Sequence, residues 1–190
     1  MTDFRMTRRA LLTGAAALLT APALAQRAAE PGEAPQTAFH NVMGFRTQQW
    51  QAYFDTLNRG AILCDMDSRV LHFWEADGSY RLFPTSVPLS EEFARRGYTE
   101  ITLLRRAPVW VPTPTMRALN PDLPDRVEAG PLNPMGTRAM NLGWPYYRIH
   151  GIDDETKVGR RASNGCIGLL NHHVEELFDR VQVGTPVLLI

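Results

Sequence analysis

The chain has 190 residues, 44% of them hydrophobic and 21% charged, and Lys+Arg and Asp+Glu both number 20, so the formal net charge is zero. Lys157 is the single lysine among those cations, and no basic run is long enough to neutralise a row of phosphates, which excludes a dedicated nucleic-acid binder. Fourteen prolines and 14 glycines without period, amid plentiful apolar residues, exclude collagen-like, coiled-coil and disordered classes and leave a globular chain of one main domain.

Residues 1–25 read as an export signal. Arg5, Arg8 and Arg9 form the basic start, Ala10 to Leu19 the apolar stretch, and Ala23-Leu24-Ala25 the small-x-small cleavage pattern. The pair Arg8-Arg9 points to the twin-arginine route. About ten apolar residues are too few to span a bilayer. The expectation is therefore a protein exported to the periplasm or cell envelope, with no stable membrane insertion after signal cleavage. Removal of the signal takes three arginines and Asp3 and leaves a net charge of −2.

Residues 26–59 are expected to be a linker followed by a short helix. The stretch up to 45 is rich in Ala, Pro, Gly and Gln, whereas Trp50, Tyr53, Phe54 and Leu57 recur at helical spacing within 47–57. From 60 to 190 the chain reads as one mainly β domain. Ala61–Met66, Val70–Glu75 and Ser79–Pro84 are strand-like runs separated by Asp- and Gly-containing turns, a β-meander pattern. Tyr98–Leu104 is the next strand. Residues 107–145 hold eight of the 14 prolines and are expected to be ordered but irregular, the kind of long loop that carries function. Tyr146–Gly151 reads as a strand ending in a turn. A helix from His172 to about Val181 follows, with Asn171 as N-cap and Val174, Leu177, Phe178 and Val181 inward. Pro186–Ile190 closes the chain as an apolar strand.

Two cysteines in an exported chain can pair. Cys64, however, lies inside the apolar run Ala61-Ile62-Leu63-Cys64, where a thiol packs as a small hydrophobe, while Cys166 lies in a Gly-flanked turn. The expectation is no disulfide. Ser163-Asn164-Gly165-Cys166 and His150-Gly151 are the residues with chemistry. Consecutive N–H groups in such a turn can form an oxyanion hole, and an imidazole beside a thiol favours a thiolate–imidazolium pair. Spacing alone leaves open whether His150 is a base and Cys166 a nucleophile, or one a structural histidine and the other an inert thiol. His172, His173, Glu175 and Glu176 are read as the first turn of a helix and not as a metal site.

The pattern His150-Gly151, then Ser163-Asn164-Gly165-Cys166-Ile167, resembles the active-site signature of the L,D-transpeptidase family, whose catalytic domain is of the YkuD type. Pro108–Pro114, Gly130–Ala139 and Val183–Val187 resemble further segments of that family, so the likeness spans roughly 60–190. It implies a β-sandwich-like catalytic domain with a few short helices and a groove under a flap. It also implies peptidoglycan stem peptides as donor and acceptor, and no metal or organic cofactor. By the same resemblance Cys166 is the nucleophile, His150 the base and Gly151 the carbonyl that orients the imidazole. Gly165, Cys166 and Asn164 supply the oxyanion donors. Ser163, Arg160, Arg161, Arg138 and Trp110 are expected to contact substrate, and Trp144 to flank the groove with Trp110.

Two positions depart from the family pattern. Asn164 stands where the family usually has histidine, and Gly168 where it usually has arginine. Asparagine cannot titrate near neutrality, so His150 is expected to move the proton alone. Loss of the arginine removes a fork for a substrate carboxylate, which Arg138, Arg160 or Arg161 is expected to replace. The altered pocket leaves open a 3-3 crosslink between diaminopimelate residues or a 1-3 crosslink from L-alanine to diaminopimelate. Hydrolysis of the same acyl-enzyme, as a carboxypeptidase or endopeptidase, and a non-catalytic peptidoglycan-binding module are the alternatives.

Overall fold

The computed structural model describes residues 47–190; the signal at 1–25 and the linker up to residue 46 lie outside the described residues. Ten strands occur in it. They are β1 (Ala61–Asp65), β2 (Val70–Trp74), β3 (Tyr80–Pro84), β4 (Val87–Pro88), β5 (Gly97–Arg106), β6 (Arg138–Leu142), β7 (Arg148–Gly151), β8 (Arg161–Ser163), β9 (Ile167–Leu169) and β10 (Pro186–Leu189). Two short helices, α1 (Pro114–Leu119) and α2 (Asn171–Phe178), join them. Among the described residues no helix is long and apolar enough to cross a membrane.

Eight strands form one sheet in the order β3-β2-β1-β10-β5-β6-β7-β9, and β4 and β8 form a parallel pair. The meander β1–β3 is antiparallel, and β10 returns parallel to β1. The long strand β5 serves two halves of the sheet. Gly97–Glu100 pair with β10, while Ile101–Arg106 pair with β6, and the register shifts between Ile101 and Leu103. A register irregularity bends a strand, and here it folds one sheet over a shared core. That core takes Ile62, Cys64, Leu71 and Phe73 from one half and Met140, Ile149, Ile167 and Leu169 from the other, with Val174, Leu177 and Phe178 of α2. The mainly β, sandwich-like expectation matches this architecture.

Strand β1 is buried on both faces. Ile62 and Cys64 enter the main core, whereas Ala61 and Leu63 face a second cluster with Phe54, Leu57, Trp74 and Leu188. Opposite-pointing neighbours explain why the sequence shows a continuous apolar run and not an alternation. Both cysteines are free, and burial pushes the Cys64 thiol well above the usual range.

Three local expectations are corrected. The predicted helix over 47–57 is a single 3-10 turn at Trp50–Ala52. The Tyr53 carbonyl, which a helix would use internally, instead accepts from the Tyr98 hydroxyl at 2.7 Å, and Phe54 and Leu57 lie on the sheet. The stretch 107–145 contains α1, capped by Thr113 Oγ1 accepting from the Met116 N–H at 3.2 Å, and the well-buried strand β6. Helix α2 has Leu170, not Asn171, at its N-cap and ends at Phe178, although Val181 is still buried.

Buried asparagines tie loops to this frame. Asn133 is fully buried; its Nδ2 donates to the carbonyls of Pro108 (2.8 Å), Val127 (3.0 Å) and Glu128 (3.0 Å), and its Oδ1 accepts from the Met135 N–H (2.8 Å). One side chain thus closes the base of the excursion that carries Trp110 and α1. Asn171 Oδ1 accepts from the Thr137 N–H and Asn171 Nδ2 donates to the Ile152 carbonyl, both at 3.0 Å, which joins that base to the end of β7.

Candidate active site

Strands β7 and β9 are parallel neighbours with Ile149 opposite Ile167 and His150 opposite Gly168. Parallel strands require a crossover, and residues 152–166 supply it. Cys166, immediately before β9, is therefore brought beside the strand that carries His150, although 16 positions separate them in sequence. Both line a cavity of about 190 Å³. Ser163 and Asn164 lie on its β8 side, Trp110 and Met116 on the side of the 107–137 excursion, and Tyr146 and Arg148 on the β7 side. A second cavity of about 190 Å³ shares Thr113, Met116, Tyr146 and Asn164 with the first, so those residues form a wall between two openings.

The His150 imidazole is fixed by its own strand end. Nδ1 lies 2.5 Å from the Gly151 carbonyl oxygen, which can only accept, so Nδ1 carries the proton and Nε2 presents its lone pair. Burial pushes the imidazole pKa down to about 4, against the upward pull of the Gly151 bond. The Cys166 thiol is pushed up by burial, partly offset by the charge and hydrogen bonding of Arg148. Both shifts disfavour the charged forms. That direction runs against the expected thiolate–imidazolium pair. Among the described residues the thiol's hydrogen bond runs to the Tyr146 carbonyl at 3.3 Å and not to the imidazole. Tyr146, expected to open a strand, has φ +65° and precedes it; this turn in the left-handed region aims its carbonyl at the sulfur.

The turn before the cysteine leaves backbone donors without protein partners. Ser163 Oγ donates to the Cys166 carbonyl at 2.5 Å, and Gly165 has φ +124°, a conformation that disfavours any side chain. Asn164, Gly165 and Cys166 lie outside the strands, and among the described residues none of their N–H groups has a protein acceptor. Such a set can receive an oxyanion.

The three arginines expected in the pocket are elsewhere. Arg161 pairs with Glu91 and Asp67, both at 3.2 Å, and lies outside the cavity wall to which its β8 neighbours Ala162 and Ser163 contribute. Arg138 lies over the Phe178 ring, 5.8 Å from its centroid, and 3.9 Å from Glu175. Arg160 is exposed and lies outside the cavity wall. Trp144 packs edge-on against Tyr147 and under Arg95 and is not part of the cavity. The cations that do line it are Arg148 and Lys157, and Lys157 is paired with Asp153 at 3.2 Å. Arg148 was legible as the residue two before His150, on the same face of a strand.

Gly168 has a steric reason. A Cβ there would come within 2.3 Å of Ser86 Oγ and 2.7 Å of Ile152 Cγ2. Ser86 and Gly168 exchange backbone hydrogen bonds of 2.8 and 3.0 Å, so the close approach is held from both sides.

The YkuD L,D-transpeptidase catalytic domain matches residues 59–189. The chain belongs to the L,D-transpeptidase family. It is 46% identical over 195 residues to "Putative L,D-transpeptidase in ATP synthase subunits region ORF 5" of Fuscovulum blasticum, with the whole of both chains covered. It is 35% identical over 141 residues to "Probable L,D-transpeptidase ErfK/SrfK" of Escherichia coli K12, covering 72% of this chain and 45% of that one. The chain thus spans less than half the length of the Escherichia coli relative. The solved L,D-transpeptidase from Mycobacterium smegmatis shares the fold, with a TM-score of 0.56 at 19% identity over 70% of this chain and 58% of that one.

Proposed function

We propose that this protein is an exported cysteine acyltransferase that crosslinks peptidoglycan stem peptides. The observation that carries the reading is that one cavity is lined both by the thiol of the turn just before β9 and by an imidazole on the neighbouring strand β7, whose Nδ1–H is held by the Gly151 carbonyl. In this mechanism Cys166 is the nucleophile and His150 the base. Rotation of the Cys166 side chain away from the Tyr146 carbonyl turns the thiol toward Nε2. Transfer of the thiol proton to Nε2 accompanies attack of Sγ on the carbonyl of an L-residue that precedes a D-residue. The Gly151 carbonyl stabilises the imidazolium as it forms, the role a third member plays beside a triad histidine. The N–H groups of Gly165 and Cys166, with Asn164, hold the tetrahedral oxyanion. The imidazolium then protonates the departing amine of the D-residue and leaves a thioester on Cys166. A neighbouring stem's amine gives its proton to Nε2, attacks the thioester and regenerates the thiol. The two openings on either side of the Tyr146–Asn164 wall suit a donor and an acceptor strand.

The product is a 3-3 or an L-Ala–diaminopimelate 1-3 crosslink. Ser163 and Trp110 contact the donor from opposite walls. Export rests on the reading of residues 1–25. Incubation of the purified protein with muropeptides, followed by mass spectrometry, tests the proposal. Crosslinked dimers are expected, and their fragmentation distinguishes the two linkages. Trimmed stems without dimers indicate hydrolysis, and unchanged substrate indicates a binding module. Full activity of Cys166→Ala refutes the nucleophile.

A further inference from the structure

The turn before Cys166 rests on a seat supplied by a different part of the chain. A Cβ on Gly165 would stand 3.3 Å from the Phe93 carbonyl oxygen and 3.5 and 3.7 Å from two ring atoms of Tyr147, so the bare backbone of the turn is packed against both. The two supports are themselves joined, because the Tyr147 hydroxyl donates to that Phe93 carbonyl at 2.6 Å. Burial pushes the phenol above its ordinary value, so it stays protonated and remains a donor around neutrality. Tyr147 and Ala94 both pack on the main core, and Tyr147 immediately precedes β7, the strand that carries His150. Residues 89–96 form a strap across the outside of this region. At one end the Leu89 N–H donates to the Ser163 carbonyl at 2.9 Å. Along it, Glu91 and Asp67 each meet both Arg96 and Arg161 at 3.2 Å, which ties the strap to β8.

We propose that Tyr147 is a positioning residue: by gripping the Phe93 carbonyl it presses the strap 89–96 against Gly165 and fixes the N–H groups that receive the oxyanion. The inference rests on the acyl-transfer reading above and adds the support on which its transition state depends. Backbone donors stabilise a developing oxyanion only when they are held within about 0.5 Å of the productive geometry. Gly165 cannot hold itself, since at φ +124° it has no side chain to pack and glycine has the widest choice of other conformations. The seat therefore supplies from outside the rigidity that the turn lacks. Of its two ties, the phenol is the stronger, because the Arg96 and Arg161 pairs are with exposed carboxylates and exposed ion pairs contribute little. Tyr147 thus acts on the reaction through the turn and not by touching the reacting atoms.

Two electrophiles separate positioning from thiol reactivity. Iodoacetamide alkylates a thiolate by displacement, with no oxyanion, whereas p-nitrophenyl acetate acylates it through a tetrahedral oxyanion. Rate constants for both are measured at pH 7 with the wild type, Tyr147→Phe and Arg161→Gln, after subtraction of the Cys166→Ala rate, alongside kcat and KM for muropeptides. Tyr147→Phe keeps the ring and removes only the hydroxyl. It is expected to lower acylation about 10- to 100-fold, to leave alkylation within about twofold, and to lower muropeptide kcat with KM nearly unchanged. Hydrogen exchange of the backbone over 163–167 is expected to quicken in the same variant. An acylation-to-alkylation ratio that stays at the wild-type value overturns the inference, whether both rates hold or both fall together, and so does unchanged exchange in the turn. If Tyr147→Phe does not fold, Arg161→Gln decides: its ratio is expected to fall about two- to fivefold, and an unchanged ratio overturns the inference. Absence of muropeptide turnover by the wild type refutes the acyl-transfer reading, while the ratio for the two small electrophiles still decides the role of Tyr147.

Discussion

Alkylation of Cys166 as a function of pH separates a neutral catalytic pair from an ion pair. With its pKa near 4, only about one His150 imidazole in 300 is protonated at pH 6.5, where an ordinary histidine is half protonated. A thiol at the ordinary value of 9.0 is about 1% thiolate at pH 7, and Cys166 is raised above that value. The rate of reaction with iodoacetamide should therefore rise about tenfold per pH unit from pH 5 through 8, without a plateau, because only the thiolate reacts. His150→Gln should leave that profile nearly unchanged while reducing transpeptidation by about 10²–10⁴-fold, since the imidazole acts during transfer and not at rest. The assay is intact-protein mass spectrometry at timed intervals, with Cys64 protected by burial. A fast rate that changes less than about threefold between pH 5 and 8 would refute the reasoning, since it requires a thiolate already present at acid pH.

Other expectations follow from the same structure. Gly168→Arg, which restores the family's usual residue, should destabilise the fold by about 1–3 kcal/mol in urea unfolding, because the new Cβ meets Ser86 and Ile152; Ser86→Gly in the same chain should recover part of the loss. Asn133→Ala leaves three carbonyls and one N–H without their partner and should cost about 2–5 kcal/mol, with early proteolysis within 107–137 as a second readout. The imidazoles of His150, His72 and His173 are all held below their ordinary value by burial. The unfolded chain then binds more protons below about pH 6.5, so the melting temperature should fall as pH drops from about 6.5 toward 4. A flat melting temperature across that window would contradict the burial of these rings.

The strands were legible where one face or both are apolar. Ala61–Asp65, Val70–Trp74 and Pro186–Leu189 stand within a residue or two of where composition places them. Strand β6 was not, because prolines crowd both sides of a short run whose Ala139, Met140 and Leu142 are buried only after β5 and β7 close around it. The helix expected at 47–57 failed for a tertiary reason, the Tyr98 hydroxyl on the Tyr53 carbonyl. Within the site, Cys166, His150 and Gly151 could be singled out from the motif, and the structure brings them together. The arginines could not be sorted by sequence proximity. Arg160 and Arg161 lie nearer the cysteine in sequence, but the Asp67 and Glu91 carboxylates draw Arg161 off, while Arg148 enters from across the ladder.

In the proposed mechanism the thiol and the imidazole are positioned by a parallel ladder that starts one residue after Cys166, and not by the segment that links its strands. Hydrogen bonds between β7 and β9 hold the frame, as rungs hold its uprights, so residues 153–158, which among the described residues make no backbone hydrogen bond outside the crossover, can change length. Insertions or deletions there should alter which molecules reach the sulfur long before they disturb the sulfur itself, which makes this crossover the part of the fold on which selection can revise substrate choice while the chemistry stays in register.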